Sequence, residues 1–261
     1  TLILPPPNDE ATIFNSLPFS PVNSKRAVLG WASFNSIVLM IVTNVLIPLV
    51  PIYICCIFAK LSFSGEIFTT LKSFAIVYAV LFSLQAIYIL IQYSIASVIK
   101  KENPFKLIKN MLPAYFTAMG TQSSAATIPV TLQCVKSNNV GEEIAEFVVP
   151  LGATIHLAGD TITLVITSMA VMYMNGQVPT LSQVIPFIFM LGVTMIAAPG
   201  VPGGGVMAAL GLLETMFGFG SIEKPIMIAL HAAQDSFGTA TNITGDGAIA
   251  VIVDYLINKK D

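Results

Sequence analysis

Long apolar stretches divide this 261-residue chain into elements. The first runs from about Trp31 to Ala59, long enough to cross a membrane with tilt. Asn35, Asn44, Pro48 and Pro51 lie within it, so a kink near its middle is expected. The second, about Ser73 to Ile99, contains Gln85 and Gln92 but no charge. Residues 1–29 ahead of both are polar and rich in turn formers (Pro5, Pro6, Pro7, Pro18, Pro21) and read as a surface loop or its remnant.

The pattern then changes. Between Pro104 and Val148 two half-length apolar pieces flank a small polar tip, Gly120–Thr127. A third span follows from about Val149 to Met174. Val184–Ala198 is apolar again, Pro199–Gly205 interrupts it, and Val206–Phe217 resumes. The last span runs from Pro225 to Leu256. The order is broken pair, span, broken pair, span, which is an internal repeat. Irregular backbone at membrane depth survives only where it is buried in protein or lines a cavity. Paired interruptions of this kind point to the binding site of a transporter. The pattern therefore predicts an all-α membrane protein, its transmembrane helices joined by two re-entrant helical hairpins arranged as inverted repeats.

Composition agrees. The chain is 55% hydrophobic and 10% charged, against about 25% charged residues in soluble domains. Cys55, Cys56 and Cys134 are odd in number and lie in apolar surroundings, which argues against a disulfide framework. The chain starts at Thr1 and reads as a piece of a longer protein. Its charge is informative through its distribution. If spans alternate and each hairpin returns to its starting side, Lys25, Arg26, Lys100, Lys101, Lys106, Lys109, Lys136, Lys259 and Lys260 all face one side. Lys60, Lys72 and Lys224 face the other. By the positive-inside rule the first hairpin enters from the cytoplasm, the second enters from outside, and the C-terminus is cytoplasmic. The expected location is the cell membrane, as a multi-pass protein.

Candidate chemistry concentrates in the last span. Asp235, Asn242 and Asp246 are seven and four residues apart, one helical face. A carboxylate at bilayer depth is costly unless something binds it, so this face reads as a site for a cation, an amine or both. His156/Asp160 and His231/Asp235 each have i,i+4 spacing, but two isolated pairs make a weak metal signature. Ser123 and Ser124 lack the surroundings of a nucleophile and suit helix capping. Gly203-Gly204-Gly205-Val206-Met207-Ala208 follows no strand, so its likeness to a dinucleotide fingerprint is empty. Asp254 reads as interfacial.

Four motifs then resemble one family, the dicarboxylate/amino acid:cation symporters, which include glutamate and neutral amino acid transporters. They are Ser123-Ser124-Ala125-Ala126-Thr127-Ile128-Pro129, Gly152-Ala153-Thr154-Ile155, Gly200-Val201-Pro202-Gly203-Gly204-Gly205 and Asn242-Ile243-Thr244-Gly245-Asp246. The resemblance covers roughly residues 31–258 and would correspond to the later half of the family, from its fifth helix onward. It implies a scaffold-type helix and external loop over 30–72 and a transport domain over 73–261. That domain would comprise a helix, a re-entrant hairpin at about 104–148, a helix at about 149–174, a second hairpin at about 181–219 and a helix at about 225–257. A homotrimer of the full-length protein is implied too.

The resemblance also implies residue roles. Asp246 would be the carboxylate of a first sodium site, with carbonyls of Gly152, His156 and Asn242. Thr154, Met195, Ile196 and Ala198 would form a second. Substrate would meet Ser123, Ser124, Thr127, Gly200, Val201, Pro202, Gly203, Asp235, Thr239 and Asn242. Asp235 would hold its amino group and Asn242 its carboxylate. The segment Asn242–Gly245 would be unwound, its carbonyls free for a cation. Na⁺ would be the coupling ion, with a small-molecule substrate and the lipid bilayer as partners. No organic cofactor, nucleic acid or enzymatic activity is expected.

The departures narrow the substrate. Members that take acidic substrates carry an arginine where this chain has Gly238, and its one arginine is Arg26. Their Asn-Met-Asp-Gly-Thr reads His156-Leu157-Ala158-Gly159-Asp160 here. Ala158 deletes a carboxylate used for a third sodium, and a His156–Asp160 pair could take up a proton instead. Gln122 replaces a tip arginine. The expectation is sodium-coupled symport of a small neutral amino acid of the serine/threonine type, by alternating access. The alternatives are a dicarboxylate or acidic amino acid symporter coupled to Na⁺ or H⁺ and, in another class, an ion channel.

Overall fold

The computed structural model describes residues 67–198, 200 and 202–258, together with 52, 55, 56, 59 and 63. The expected loop over 1–29 lies outside the described residues. So does most of the first span and the 30–72 segment. The described helices belong to one compact unit, Leu61–Asp261. They are α1 (Ile67–Lys100), α2 (Pro104–Thr121), α3 (Ser124–Ser137), α4 (Glu142–Ile155), α5 (Ala158–Met174), α6 (Leu181–Met195), α7 (Gly204–Phe217) and α8 (Glu223–Asn258). Among the described residues there is no strand. Three stretches are long and apolar enough to cross a membrane: Phe74–Lys100, Glu142–Met174 and Glu223–Asn258. The protein is an all-α integral membrane protein.

Local chemistry sets the helix ends. Asn103 caps α2, its Oδ1 accepting from the Phe105 N–H at 2.8 Å, and Pro104 occupies the first turn, where its missing N–H is not needed. Across that cap, Lys106 in the first turn of α2 donates to Glu102 at 3.2 Å and holds its carboxyl below the usual carboxylate range. Gly203 (φ 73°) and Gly218 (φ 70°) bracket α7 in the left-handed region. α1 shows Ile76, Ile87, Ile91, Ile95 and Val98 on its outer surface, a face suited to lipid. α8 is the opposite. Its middle is buried on every side, and it packs against α1, α2, α3, α4, α5 and α7.

Two helix pairs, α2–α3 and α6–α7, pack as hairpins. Their open ends lie at opposite ends of α8. At its C-terminal end, Asp254 accepts from the Gly141 N–H at 2.8 Å, and Lys100 donates to the Asn138 and Asn139 carbonyls at 2.5 and 2.9 Å. At its N-terminal end, Glu223 accepts from Asn175 at 3.1 Å, and Lys224 pairs with Glu214 at 2.5 Å. Asp254 is buried near the C-terminal end of α8 and ties it to the start of α4.

Two expectations about continuity change. The helix expected over about 149–174 begins at Glu142 and is interrupted at His156–Leu157. Conversely, α8 runs unbroken through Asn242–Gly245. Thr241 and Thr244 donate to the Phe237 and Ala240 carbonyls at 2.8 and 2.7 Å, along the helix. The glycines there serve close approach instead of unwinding. A Cβ on Gly245 would lie 2.6 Å from His156 Cε1, and one on Gly247 2.6 Å from Met111 Cε.

Candidate functional site

The interruption between α4 and α5 places two sets of polar groups against α8. The first surrounds Asp246, which is fully buried. His156, freed from helical geometry at the end of α4, turns its Nδ1 to Asp246 Oδ1 at 2.7 Å. Its Nε2 is 3.0 Å from the Tyr88 hydroxyl, and Gln92 Nε2 donates to that hydroxyl at 2.7 Å. Gly152 lets the carboxylate in, since a Cβ there would stand 2.5 Å from Asp246 Oδ1. The other carboxylate oxygen, Asp246 Oδ2, is buried without a hydrogen-bond partner, as is Gln92 Oε1. Bare buried acceptors of this kind fit a hard cation such as Na⁺. Next to this set a cavity of about 310 Å³ is lined by Tyr88, His156, Leu157, Thr161 and Met195 among others.

The second set contains Asp160, His231, Asp235 and Asn242, all buried. Asp160 accepts from Asn242 Nδ2 at 2.8 Å and lies 3.0 Å from His231 Nε2. Asn242 Oδ1 accepts from the Gly159 N–H at 2.7 Å. Asp235 Oδ2 accepts from the Gly203 N–H at 2.8 Å, which sets a carboxylate at the positive end of α7. Gln85 on α1 extends the network to Thr163 and Gln234 at 3.3 and 3.4 Å. A Cβ on Gly205 would come within 3.2 Å of Asp160 Cβ, so the second tip closes directly over this set.

The two tips touch. Ser123 Oγ donates to the Gly200 carbonyl at 3.0 Å, and Gln122 donates to Ser236 at 2.9 Å. Thr127 is buried but engaged inside its own hairpin, donating to the Ser123 carbonyl at 2.8 Å and lying 3.0 Å from Thr121. Ser124 is buried beside Gly200, and Thr239 is buried one turn from Asp235. Pro202 is half-buried. Val201 lies outside the described residues.

The expected sodium ligands are arranged unevenly. The Gly152 carbonyl is taken by the His156 N–H at 2.8 Å. Thr154 is exposed and donates back to the Leu151 carbonyl at 2.7 Å. Met195 and Ala198 are buried, while Ile196 is 59% exposed. The His156–Asp160 pair does not form, because the break after Ile155 removes the helical spacing on which it depended. Each residue instead meets a partner on α8, His156 with Asp246 and Asp160 with His231.

Sequence reasoning assigned no role to Gln85 or Gln92, noted only as uncharged polar residues, nor to Tyr88 or Gln234. Tyr78, Gln85 and Gln92 recur every seven residues, a stripe of polar groups along a mostly apolar helix. That stripe is the signal that was available.

Comparison with known proteins adds a family and relatives. A sequence profile of the sodium:dicarboxylate symporter family matches residues 19–256. Excitatory amino acid transporter 2 of Mus musculus is 30% identical over 160 residues, covering 61% of this chain and 28% of that protein. Neutral amino acid transporter A of Homo sapiens is 29% identical over 163 residues, 62% of this chain and 30% of the relative. Excitatory amino acid transporter 1 of Homo sapiens is 31% identical over 159 residues, 60% of this chain and 29% of the relative. The matched stretch spans less than a third of each relative's length.

Proposed function

The chain belongs to the sodium:dicarboxylate symporter family, and on that premise we propose that it carries out sodium-coupled symport of a small neutral amino acid, of the serine/threonine type, by alternating access. One observation favours a neutral substrate. At Gly238, where acidic-substrate members keep an arginine, the group nearest to a Cβ would be the Asp160 carboxylate at 3.2 Å, followed by the Gln234 amide at 3.5 Å. A carboxylate on the substrate's side chain would meet negative charge there, whereas a hydroxyl or methyl group would not. Asp235 takes the amino group and Asn242 lies beside it for the carboxylate. Na⁺ is a second cargo, drawn to the bare oxygen of Asp246.

In this reading α2–α3 and α6–α7 are the re-entrant hairpins, and the full-length protein is a trimer in the cell membrane with its C-terminus in the cytoplasm. The contact between Ser123 and Gly200 supports a closed pocket, gated by the tips. The second reading is an acidic amino acid or dicarboxylate as substrate, favoured by the names of two of the relatives, excitatory amino acid transporters. Thermal unfolding of the full-length protein with a panel of amino acids separates the two. Neutral amino acids should stabilise it only when Na⁺ is present, and Na⁺ alone should do less. Tight binding of aspartate or succinate would overturn the neutral reading. Conductance that does not saturate and needs no substrate would indicate a channel.

A further inference from the structure

The network around α8 leaves one ring nitrogen without a partner. His231 is fully buried, and its two nitrogens face different carboxylates. Nε2 lies 3.0 Å from Asp160 Oδ1, and a carboxylate can only accept, so Nε2 bears the proton. Nδ1 makes no hydrogen bond. It faces Asp235 Oδ1 across 3.9 Å. That is beyond hydrogen-bond length, so protonating the ring would not close the gap either. In the neutral ring, the buried lone pair of Nδ1 and a carboxylate oxygen confront each other, an arrangement that calls for a donor bridging them.

Neither group can turn away to satisfy itself. Asp235 is held through its other oxygen by the Gly203 N–H at 2.8 Å. The ring is pinned by Asp160 and covered by the second tip, where a Cβ on Gly205 would stand 3.3 Å from Nε2. We propose that His231 Nδ1 and Asp235 Oδ1 together hold the substrate's ammonium group, with His231 as its second acceptor. The proposal rests on Asp235 binding the amine, the reading given above. An ammonium nitrogen about 2.9 Å from each acceptor fits astride the 3.9 Å gap. A zinc-type ion fits less well. It needs three or four protein ligands, and Asp160, the third member of this cluster, is already spent on the ring's other nitrogen. The consequence is selectivity. A 2-hydroxy acid offers one donor where the amino acid offers three, so the pair discriminates by amine.

Two variants separate this role from a purely structural one. His231→Asn places an amide oxygen near the position of Nδ1 and loses the donor to Asp160. His231→Gln keeps an amide donor near Nε2 and loses the acceptor. Binding of L-serine and of its 2-hydroxy counterpart glycerate is measured by calorimetry on the full-length protein at saturating Na⁺. His231→Gln should weaken serine about tenfold to a hundredfold, the range of a charge-assisted hydrogen bond, and leave glycerate unchanged. His231→Asn should keep the preference for serine. The reverse order, or wild-type behaviour in both, overturns the proposal. Nitrogen NMR of the wild-type ring tests it without any substitution. The Nδ1 resonance should move from a free to a hydrogen-bonded lone pair when serine binds, and an unmoved resonance overturns it. If wild-type protein binds no neutral amino acid at saturating Na⁺, the failure lies in the functional reading itself.

Discussion

Asp246 shows how a buried carboxylate can be half satisfied. His156 occupies one oxygen at 2.7 Å and the other has no partner. Removing the charge while keeping the shape isolates its role. Asp246→Asn should raise the Na⁺ concentration needed for half-maximal stabilisation by serine at least tenfold, with unfolding still cooperative. Unchanged Na⁺ dependence in calorimetry would sink the assignment. At Gly238 the reasoning concerns what is missing. Gly238→Arg would bring a guanidinium against Asp160, which would capture it. The single variant should therefore lose serine binding more than tenfold without accepting aspartate. Gly238→Arg combined with Asp160→Thr leaves the arginine free, and aspartate uptake should appear. If the double variant still refuses aspartate while the single one still binds serine, residue 238 does not face the substrate.

Helix packing explains why these residues meet and why much of it was readable in advance. Apolar run lengths and the two glycine- or serine-rich tips located α1, α2, α3, α6, α7 and α8 to within several residues, since a membrane penalises exposed backbone so heavily that few arrangements survive, but the split of one expected span into α4 and α5 was not readable. The face carrying Asp235, Asn242 and Asp246 was legible from spacing alone. Its partners were not. Helical spacing paired His156 with Asp160, but the break after Ile155 sends each to a different carboxylate or ring on α8, and breaks of this kind arise from tertiary contact. The glycines misled for the same reason. Gly245 looked like a point of unwinding and is a point of contact. This gives a paired test. A Cβ on Gly159 would collide with the Gly238 carbonyl and stand 2.9 Å from Thr241 Cβ, whereas one on Gly211 meets nothing within 4 Å. Gly159→Ala should cost about 1–3 kcal/mol through overpacking, seen as a lower unfolding temperature. Gly211→Ala should be neutral or slightly stabilising by comparison. Equal effects would mean that α5 and α8 do not cross at Gly159.

At the scale of the whole unit, the polar ties at each end of α8 define two poles. Lys100, Asn138, Gly141 and Asp254 join at one, and Asn175, Glu214, Glu223 and Lys224 gather at the other. The hairpins open at opposite poles and meet tip to tip where Ser123 reaches Gly200. Under the proposed transport function, moving one tip at a time would expose the polar groups beneath the tips to either side, which is what alternating access requires and a continuous pore does not. By the positive-inside rule, the surplus of lysines at the first pole predicts that this pole faces the cytoplasm. Glu143 and Gln177 are exposed near the two poles and suit cysteine substitution once Cys55, Cys56 and Cys134 have been replaced. In intact cells a membrane-impermeant thiol reagent should label Gln177→Cys at once, and Glu143→Cys only after the membrane is opened. The opposite pattern would invert the molecule without disturbing its internal logic. Labelling of both from the same side would refute the two-pole arrangement, and with it the meeting of the tips from opposite faces of the membrane.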